Sequence, residues 1–319
     1  GEGGMKGNIG TVAHEFFHAW NVERIRPAEL EPFDFSEANM TGSLWFAEGF
    51  TSYYTGLMLC RANVITPKKY VEGLTGTFNY VWNSPALEYF NPIEMSYQAP
   101  FVDAATSVDP TNRENTFISY YSYGSVLGLA LDLSLRQKDL NLDDFMKLMW
   151  KNHGKSEVTY KVEDIEKTLA NYAGAEFSDN FFSNYIYQSK MPDYQELFES
   201  VGIKLEQKKE NYFGASVKET DSGLEITRNT FKGSPTYEAG LTAGDVILNL
   251  NGTEVKTTKE MDEIIQNSEN KKIKVSFERF GEKKITEVQL GESPAYIISL
   301  DENASKKALK NRKNWLEAK

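Results

Sequence analysis

The stretch that most constrains this chain is His14-Glu15-Phe16-Phe17-His18. Its spacing is the H-E-x-x-H pattern. On a helix, residues four apart share a face, about one turn from each other. Two imidazoles so placed can grip one metal ion. The glutamate between them sits beside the ion and can take a proton from a water. The pattern alone also arises on solvated helix faces. Here Val12, Ala13, Phe16, Phe17, Ala19 and Trp20 flank it, and two of the chain's 3 histidines lie in this stretch. The apolar flanks predict a buried helix over 8–22. A buried His-Glu-His set without a metal would leave polar groups uncompensated. A second stretch, Leu44-Trp45-Phe46-Ala47-Glu48-Gly49-Phe50, offers the third ligand. We expect His14, His18 and Glu48 to hold Zn²⁺, with Glu15 as the general base.

At 319 residues the chain is long enough for two domains and a substantial core. The net charge of −11 argues against a nucleic-acid partner. No apolar run is long enough to span a bilayer as a helix. The chain opens Gly1-Glu2-Gly3-Gly4 and not with Met, which reads as a processed or partial chain whose natural form extends further toward the N-terminus. A removed signal peptide would make the protein periplasmic or secreted; otherwise it is cytoplasmic. The 1 cysteine, Cys60, excludes an internal disulfide and follows the apolar run Leu57-Met58-Leu59. It reads as a packing residue and not a nucleophile.

Taken in order, residues 1–7 are Gly-rich loop, and Pro27 follows the end of the first helix. Thr41 reads as the N-cap of a second helix over 43–62, which carries Glu48 in its first two turns. Gly49 inside that helix either allows close approach to the metal helix or kinks it. Thr66-Pro67 opens a further helix. Residues 91–117, with Pro92, Pro100 and Pro110, read as a long irregular loop. An apolar helix runs from Tyr120 to Arg136, and Asn141 caps the next. His153 has no ligand neighbour at metal-binding spacing and reads as a surface residue. Two more helices cover 162–173 and 178–187. After residue 206 the texture changes to alternating strands and turns, including the tight-turn pair Asn251-Gly252. Helical pieces fall near 235–240 and 257–268. The expected architecture is a mainly α-helical catalytic domain over 1–205, a small α+β domain over 206–295 and a basic amphipathic tail over 296–319. Trp315 is expected to pack that tail back onto a domain.

Three blocks in order resemble the glycyl-aminopeptidase family of zinc metallopeptidases (metallopeptidase family sixty-one, gluzincins). They are HEFFHAWNVERIRP from His14 to Pro27, LWFAEGFTSYY from Leu44 to Tyr54, and SYYSYGSVLGLALDLSLR from Ser119 to Arg136. The second module resembles a PDZ domain through Gly233-Ser234-Pro235, Ala239-Gly240-Leu241 and Gly244-Asp245-Val246-Ile247. The resemblance implies a thermolysin-like fold, with zinc on His14, His18 and Glu48 and Glu15 as base. It also implies an oxyanion-steadying role for Tyr121, in a motif where Tyr123 stands at a position that related aminopeptidases give to lysine. By itself, Tyr121 reads as one member of an aromatic cluster at a helix start. Tyr212-Phe213-Gly214-Ala215 resembles the carboxylate-binding loop of bacterial protease PDZ domains, which capture peptide C-termini by strand addition. The same residues also fit an ordinary strand that packs the module against its neighbour.

The family places a β-rich region before its metal helix, with a glutamate that holds the substrate's free amino group. Gly3-Gly4-Met5-Lys6 supplies no such glutamate, and Glu2 is a poor substitute. The residues therefore support three readings. The first is a zinc aminopeptidase acting on peptides with small N-terminal residues such as Gly or Ala. The second is a zinc endopeptidase whose PDZ domain presents the substrate. The third is a peptide-binding scaffold with a non-catalytic metal site.

Overall fold

The computed structural model describes residues 7–102 and 112–317, and its secondary structure changes character where the sequence does. The expected opening loop with Glu2, and the 103–111 part of the proline-rich connection, lie outside the described residues. The helical half begins with α1 (Ile9–Phe17), α2 (Leu44–Arg61) and α3 (Pro67–Trp82). Thr66 caps α3 by accepting from the Lys69 amide, with Pro67 at the first helical position. The start of α2 differs from expectation. Its N-cap is Ser43, whose side chain makes no capping bond. Thr41 instead accepts from the Ser43 amide at 3.1 Å and donates its hydroxyl to Glu29 at 3.1 Å.

The 91–117 connection is also more ordered than its prolines imply. It contains α4 (Pro92–Tyr97), α5 (Ala99–Val102) and α6 (Arg113–Thr116). Asn91 and Glu94 form a capping box, and Pro92 occupies the first helical position, where its missing N–H costs nothing. Then come α7 (Tyr120–Gln137), α8 (Leu142–Met149), α9 (Val162–Ala173), α10 (Ala175–Phe181) and α11 (Tyr194–Ser200). His153 is not a surface residue. It lies in a π-helical turn, Trp150–Gly154, is buried, and bonds through Nδ1 to the Val158 carbonyl at 3.0 Å. The turn swings the ring inward against Tyr160, a placement that the polar sequence around it does not signal.

Gly49 and Gly124 bring α2 and α7 together backbone to backbone. A Cβ on Gly49 would lie 2.3 Å from the Gly124 Cα, and one on Gly124 would lie 1.8 Å from the Trp45 carbonyl oxygen. The close approach expected of Gly49 is therefore made to α7 and not to the metal helix. Gly128 sits against Phe50 and Tyr53, and the Tyr53 hydroxyl donates to Asp132 at 2.6 Å. Later residues of α2 thus meet later residues of α7, so the two helices run parallel. Glu48 and Tyr121 emerge beside this contact on the same side.

The second half comprises β1 (Ile203–Gln207), β2 (Asn211–Tyr212), β3 (Val217–Thr220), β4 (Gly223–Ile226), α12 (Pro235–Glu238), β5 (Val246–Leu250) and β6 (Thr253–Glu254). It continues with α13 (Thr258–Gln266), β7 (Lys272–Arg279), β8 (Glu282–Gln289), β9 (Gly291–Glu292), β10 (Tyr296–Leu300) and α14 (Lys306–Leu316). The main sheet has the order β3-β4-β5-β7-β8, with β6 paired to β5. Asn251 and Gly252 turn the β5–β6 hairpin with φ of 51° and 84°, the positive values that a two-residue turn of this hand requires. Leu224, Ile247, Val275 and Phe277 fill this module's own core.

Strands β1 and β10 pair with each other and not with that sheet. Their Ile203 and Ile298 belong to the helical core. The module is therefore looped out between two strands of a ribbon anchored on the helical half. Two side-chain amides reinforce the anchor. Asn79 brackets the Tyr296 backbone, donating to its carbonyl at 2.8 Å and accepting from its amide at 2.7 Å. Asn115 does the same for the 230–232 segment, donating to the Thr230 carbonyl and accepting from the Lys232 amide. Beyond the ribbon, α14 inserts Trp315 into the helical core, where its indole donates to the Tyr53 hydroxyl at 2.9 Å. The last carbonyls of a helix lack intrahelical partners. Here Arg136, Arg61 and Cys60 donate to those of Asn314, Trp315 and Leu316.

The glycine contact makes a direct prediction. Gly124→Ala lowers stability to chemical denaturation by about 3 kcal/mol or more, because backbone on both helices must move. Gly76→Ala, where a Cβ meets nothing within 4 Å, raises it by roughly 0.5–1 kcal/mol through helix propensity.

Candidate metal centre

His14 and His18 lie one turn apart, at the end of α1, and face the first turns of α2. His14 Nε2 is 3.2 Å from Glu48 Oε2, His18 Nε2 is 3.2 Å from the same oxygen, and the two Nε2 atoms are 3.1 Å apart. These three residues are the one group of potential ligands that converges in this way among the described residues. Ligand atoms about 2.0–2.1 Å from a tetrahedral ion lie about 3.3 Å from one another. The spacing therefore fits Zn²⁺ held by three protein ligands.

The backbone also fixes which His18 nitrogen faces the site. His18 Nδ1 lies 2.7 Å from the Asn21 carbonyl oxygen. A carbonyl only accepts, so Nδ1 keeps its proton, and it is Nε2 that gives up its own and offers a lone pair when a metal binds. Thr55 Oγ1 stands 3.4 Å from His14 Nδ1. Burial opposes the charge on Glu48, but hydrogen bonds from His14 and His18 override it and pull the carboxyl down to about 2. The hydrogen bond to Glu48 raises the His18 pKa against the opposing effect of burial, and Glu15 contributes through its charge.

Sequence reasoning passed over Asn21, which ties these parts together. It is fully buried, and its side-chain amide donates to the Phe46 and Ala47 carbonyls and to Thr51 Oγ1, each within 3.1–3.2 Å. One residue thus fixes the His18 ring through its backbone and grips the helix that carries Glu48 through its side chain. The next residue, Val22, has φ of 153°, an unfavourable value for a β-branched residue, so this grip holds a strained turn in place. The available signal was a lone amide between Trp20 and Val22, where a polar group needs buried partners.

The metal helix itself is not buried, contrary to the reading of its apolar flanks. No residue of α1 is buried, and Val12, Phe16 and Trp20 are exposed. Only its inner side packs, with Phe17 stacked on Tyr54 at 4.7 Å. Among the described residues nothing covers the outer face. Glu15 is solvent-exposed beside the ligands. Tyr121, at the start of α7, places its ring 5.9 Å from that of His14. Tyr123 points the other way, into the core, where burial pushes its hydroxyl pKa upward.

Tyr212 closes β2, and Phe213, Gly214 and Ala215 lead from it toward β3. Phe213 is buried in the module's core, and Gly214 has φ of 95°. Thr236 pins the turn by donating its amide to the Phe213 carbonyl and its hydroxyl to the Gly214 carbonyl at 2.7 Å.

Residues 7–127 match the M61 glycyl aminopeptidase family, and residues 232–279 match the PDZ domain. The chain carries a domain of that family followed by a PDZ domain. It is similar to the crystal structure of an aminopeptidase N family protein from Idiomarina loihiensis, with a TM-score of 0.86 and 24% identity. That match covers 98% of this chain and 55% of the other, so the chain spans about half the length of that relative. The HtrA3 PDZ domain bound to a phage-derived ligand matches 31% of this chain over 93% of its own length, at 14% identity and a TM-score of 0.24. No curated protein matches the chain.

Metal content and pH check the centre. Glu48→Ala loses most of its zinc, measured as stoichiometry after dialysis; equal zinc in both proteins would remove Glu48 from the ligand set. Asn21→Ala keeps the carbonyl that orients His18 but removes the side-chain grip on the helix that carries Glu48, and weakens zinc binding about 10–100-fold in chelator competition. In metal-free protein, Glu48 contributes stability above pH 4.5 that is lost as pH falls toward 2, because its folded pKa is depressed. His18 contributes stability that is complete below pH 6.5 and lost as pH rises through its raised pKa. Zinc binding removes that proton, so the gain in melting temperature on adding zinc grows as pH rises.

Proposed function

We propose that this chain is the hydrolytic and peptide-binding part of a zinc-dependent peptidase, an aminopeptidase that prefers small N-terminal residues such as Gly or Ala. The observation that carries this reading is the convergence of His14, His18 and Glu48 with the His18 tautomer fixed for coordination. The family match of residues 7–127 supports it. When bound, Zn²⁺ lowers the pKa of a water to about 7 and polarises a peptide carbonyl.

The protein's own residues then divide the work. His14, His18 and Glu48 would hold the ion. Glu15 follows His14 directly in sequence and is open to solvent, so it can accept a proton from the attacking water and pass it to the leaving amine. Tyr121 lies beside His14, partly buried at the edge of the helical core, and its hydroxyl donates to the oxyanion that develops on the carbonyl. The PDZ domain binds an extended peptide or its C-terminus along β3, with Tyr212, Phe213, Gly214 and Ala215 at the carboxylate end.

Chromogenic glycyl and alanyl amides, free and N-acetylated, test the reading. We expect zinc-dependent release from the free forms; hydrolysis of the acetylated forms alone would make the protein an endopeptidase. Glu15→Gln keeps its zinc and loses about 10²–10⁴-fold in turnover. Tyr121→Phe loses about 10²–10³-fold. Full turnover in Glu15→Gln would remove the proposed base.

A further inference from the structure

A pocket of about 270 Å³ opens between α2, α3 and α7. It starts one helical turn beyond the metal centre. Ser52 follows Glu48 by one turn on α2, and Ser125 follows Tyr121 by one turn on α7, and both line it. Because α2 and α7 run parallel, the two helices carry the pocket onward together, about 6–12 Å along the axis from Glu48. Leu74, Val126 and Leu129 give it apolar walls. Lys69 is its sole charged lining residue, in a chain of net charge −11. A cationic side chain would find no carboxylate there. An apolar one would lose water against aliphatic and aromatic carbon.

Gly73 keeps the pocket open. It lies mid-helix on α3, lines the cavity, and a Cβ built on it meets nothing within 4 Å. Glycine at this position costs helix stability, and no close backbone contact requires it. Gly76, one turn further on α3, is equally uncrowded but does not line the pocket.

We infer that this pocket is a side-chain subsite that takes a leucine-sized apolar residue of the bound peptide, with Gly73 as the residue that determines its depth. The peptide nature of the ligand rests on the peptidase reading above. The preference for small residues proposed there concerns the N-terminal position, and this subsite holds a different residue of the same substrate.

The test separates the two ideas. A set of C-terminally amidated glycine peptides, with one leucine walked through each position, is titrated into the metal-free full chain by calorimetry. Amidation denies the PDZ domain a carboxylate. One leucine register is expected to bind roughly tenfold or more tighter than the all-glycine peptide, as burial of such a side chain gives. Gly73→Leu, whose side chain enters the cavity, reduces that ratio to about twofold or less. Gly76→Leu retains it and controls for changes in the helix. Absence of a preferred register, a ratio unchanged in Gly73→Leu, or a ratio lost equally in Gly76→Leu would each overturn the subsite. The zinc-loaded chain is then assayed with the same peptides. A leucine preference without any hydrolysis leaves the subsite standing and sinks the peptidase reading.

Discussion

The structure depends on two helices touching where neither has a side chain. Helix pairs ordinarily stand about 8–10 Å apart because side chains separate them. Gly49 and Gly124 remove that spacer, and the Trp45 and Tyr120 carbonyls come down onto the opposite glycine. Everything at the centre is measured from this contact. Glu48 precedes one glycine by a residue, and Tyr121 precedes the other by less than a turn. Any outward shift of α7 would carry Tyr121 away from His14 without altering either side chain. The glycines serve the chemistry by position, although neither can take part in it.

A second constraint keeps α1 on this frame. The helix is short, exposed on its outer face and without a side-chain N-cap. Local propensity contributes little to so short a segment. What holds it is a handful of directed contacts on its inner side. Asn21 is the chief of these, because it bonds to backbone on α2 and to the ring of His18. Metal ligands held by backbone carbonyls are less free to rotate than ligands held by other side chains, since a carbonyl moves only with its helix or turn. The centre is therefore as rigid as the α1–α2 junction.

Much of this was legible in the sequence, for identifiable reasons. The His14-His18 pair is visible because ligand spacing follows helix period. The α3 and α8 starts follow from Thr66 and Asn141, each a short oxygen-bearing side chain ahead of a helical run. The hairpin at Asn251-Gly252 is set by local φ alone. The failures share a different origin. Polar neighbours make His153 read as exposed, but a π-helical turn aims it inward. Apolar flanks suggest that α1 is buried, although apolarity states what a face could contact and not what lies against it. Pro92 suggests a loop, whereas Asn91 and Glu94 around it close a capping box. Gly49 signals a close approach but not its partner, because pairing at a separation of seventy-odd residues leaves no local trace. Cys60 and Trp315 were expected to pack, yet their shared role at the end of α14 required tertiary contacts to see.

The looped-out position of the second module has a consequence for biosynthesis. The polypeptide leaves the helical core at β1 and returns to it only at β10 and α14. Until α14 has been translated, the Tyr53 hydroxyl lacks its indole donor, and Arg61 and Arg136 lack the carbonyls they bond in the finished protein. A nascent chain on the ribosome therefore holds α2 and α7 with polar groups still open beneath them while the whole sheet module is being made. The metal-binding half comes first in the message, but its core is completed last. A premature stop anywhere in the module would release a protein with its ligand residues intact and its interior unfinished.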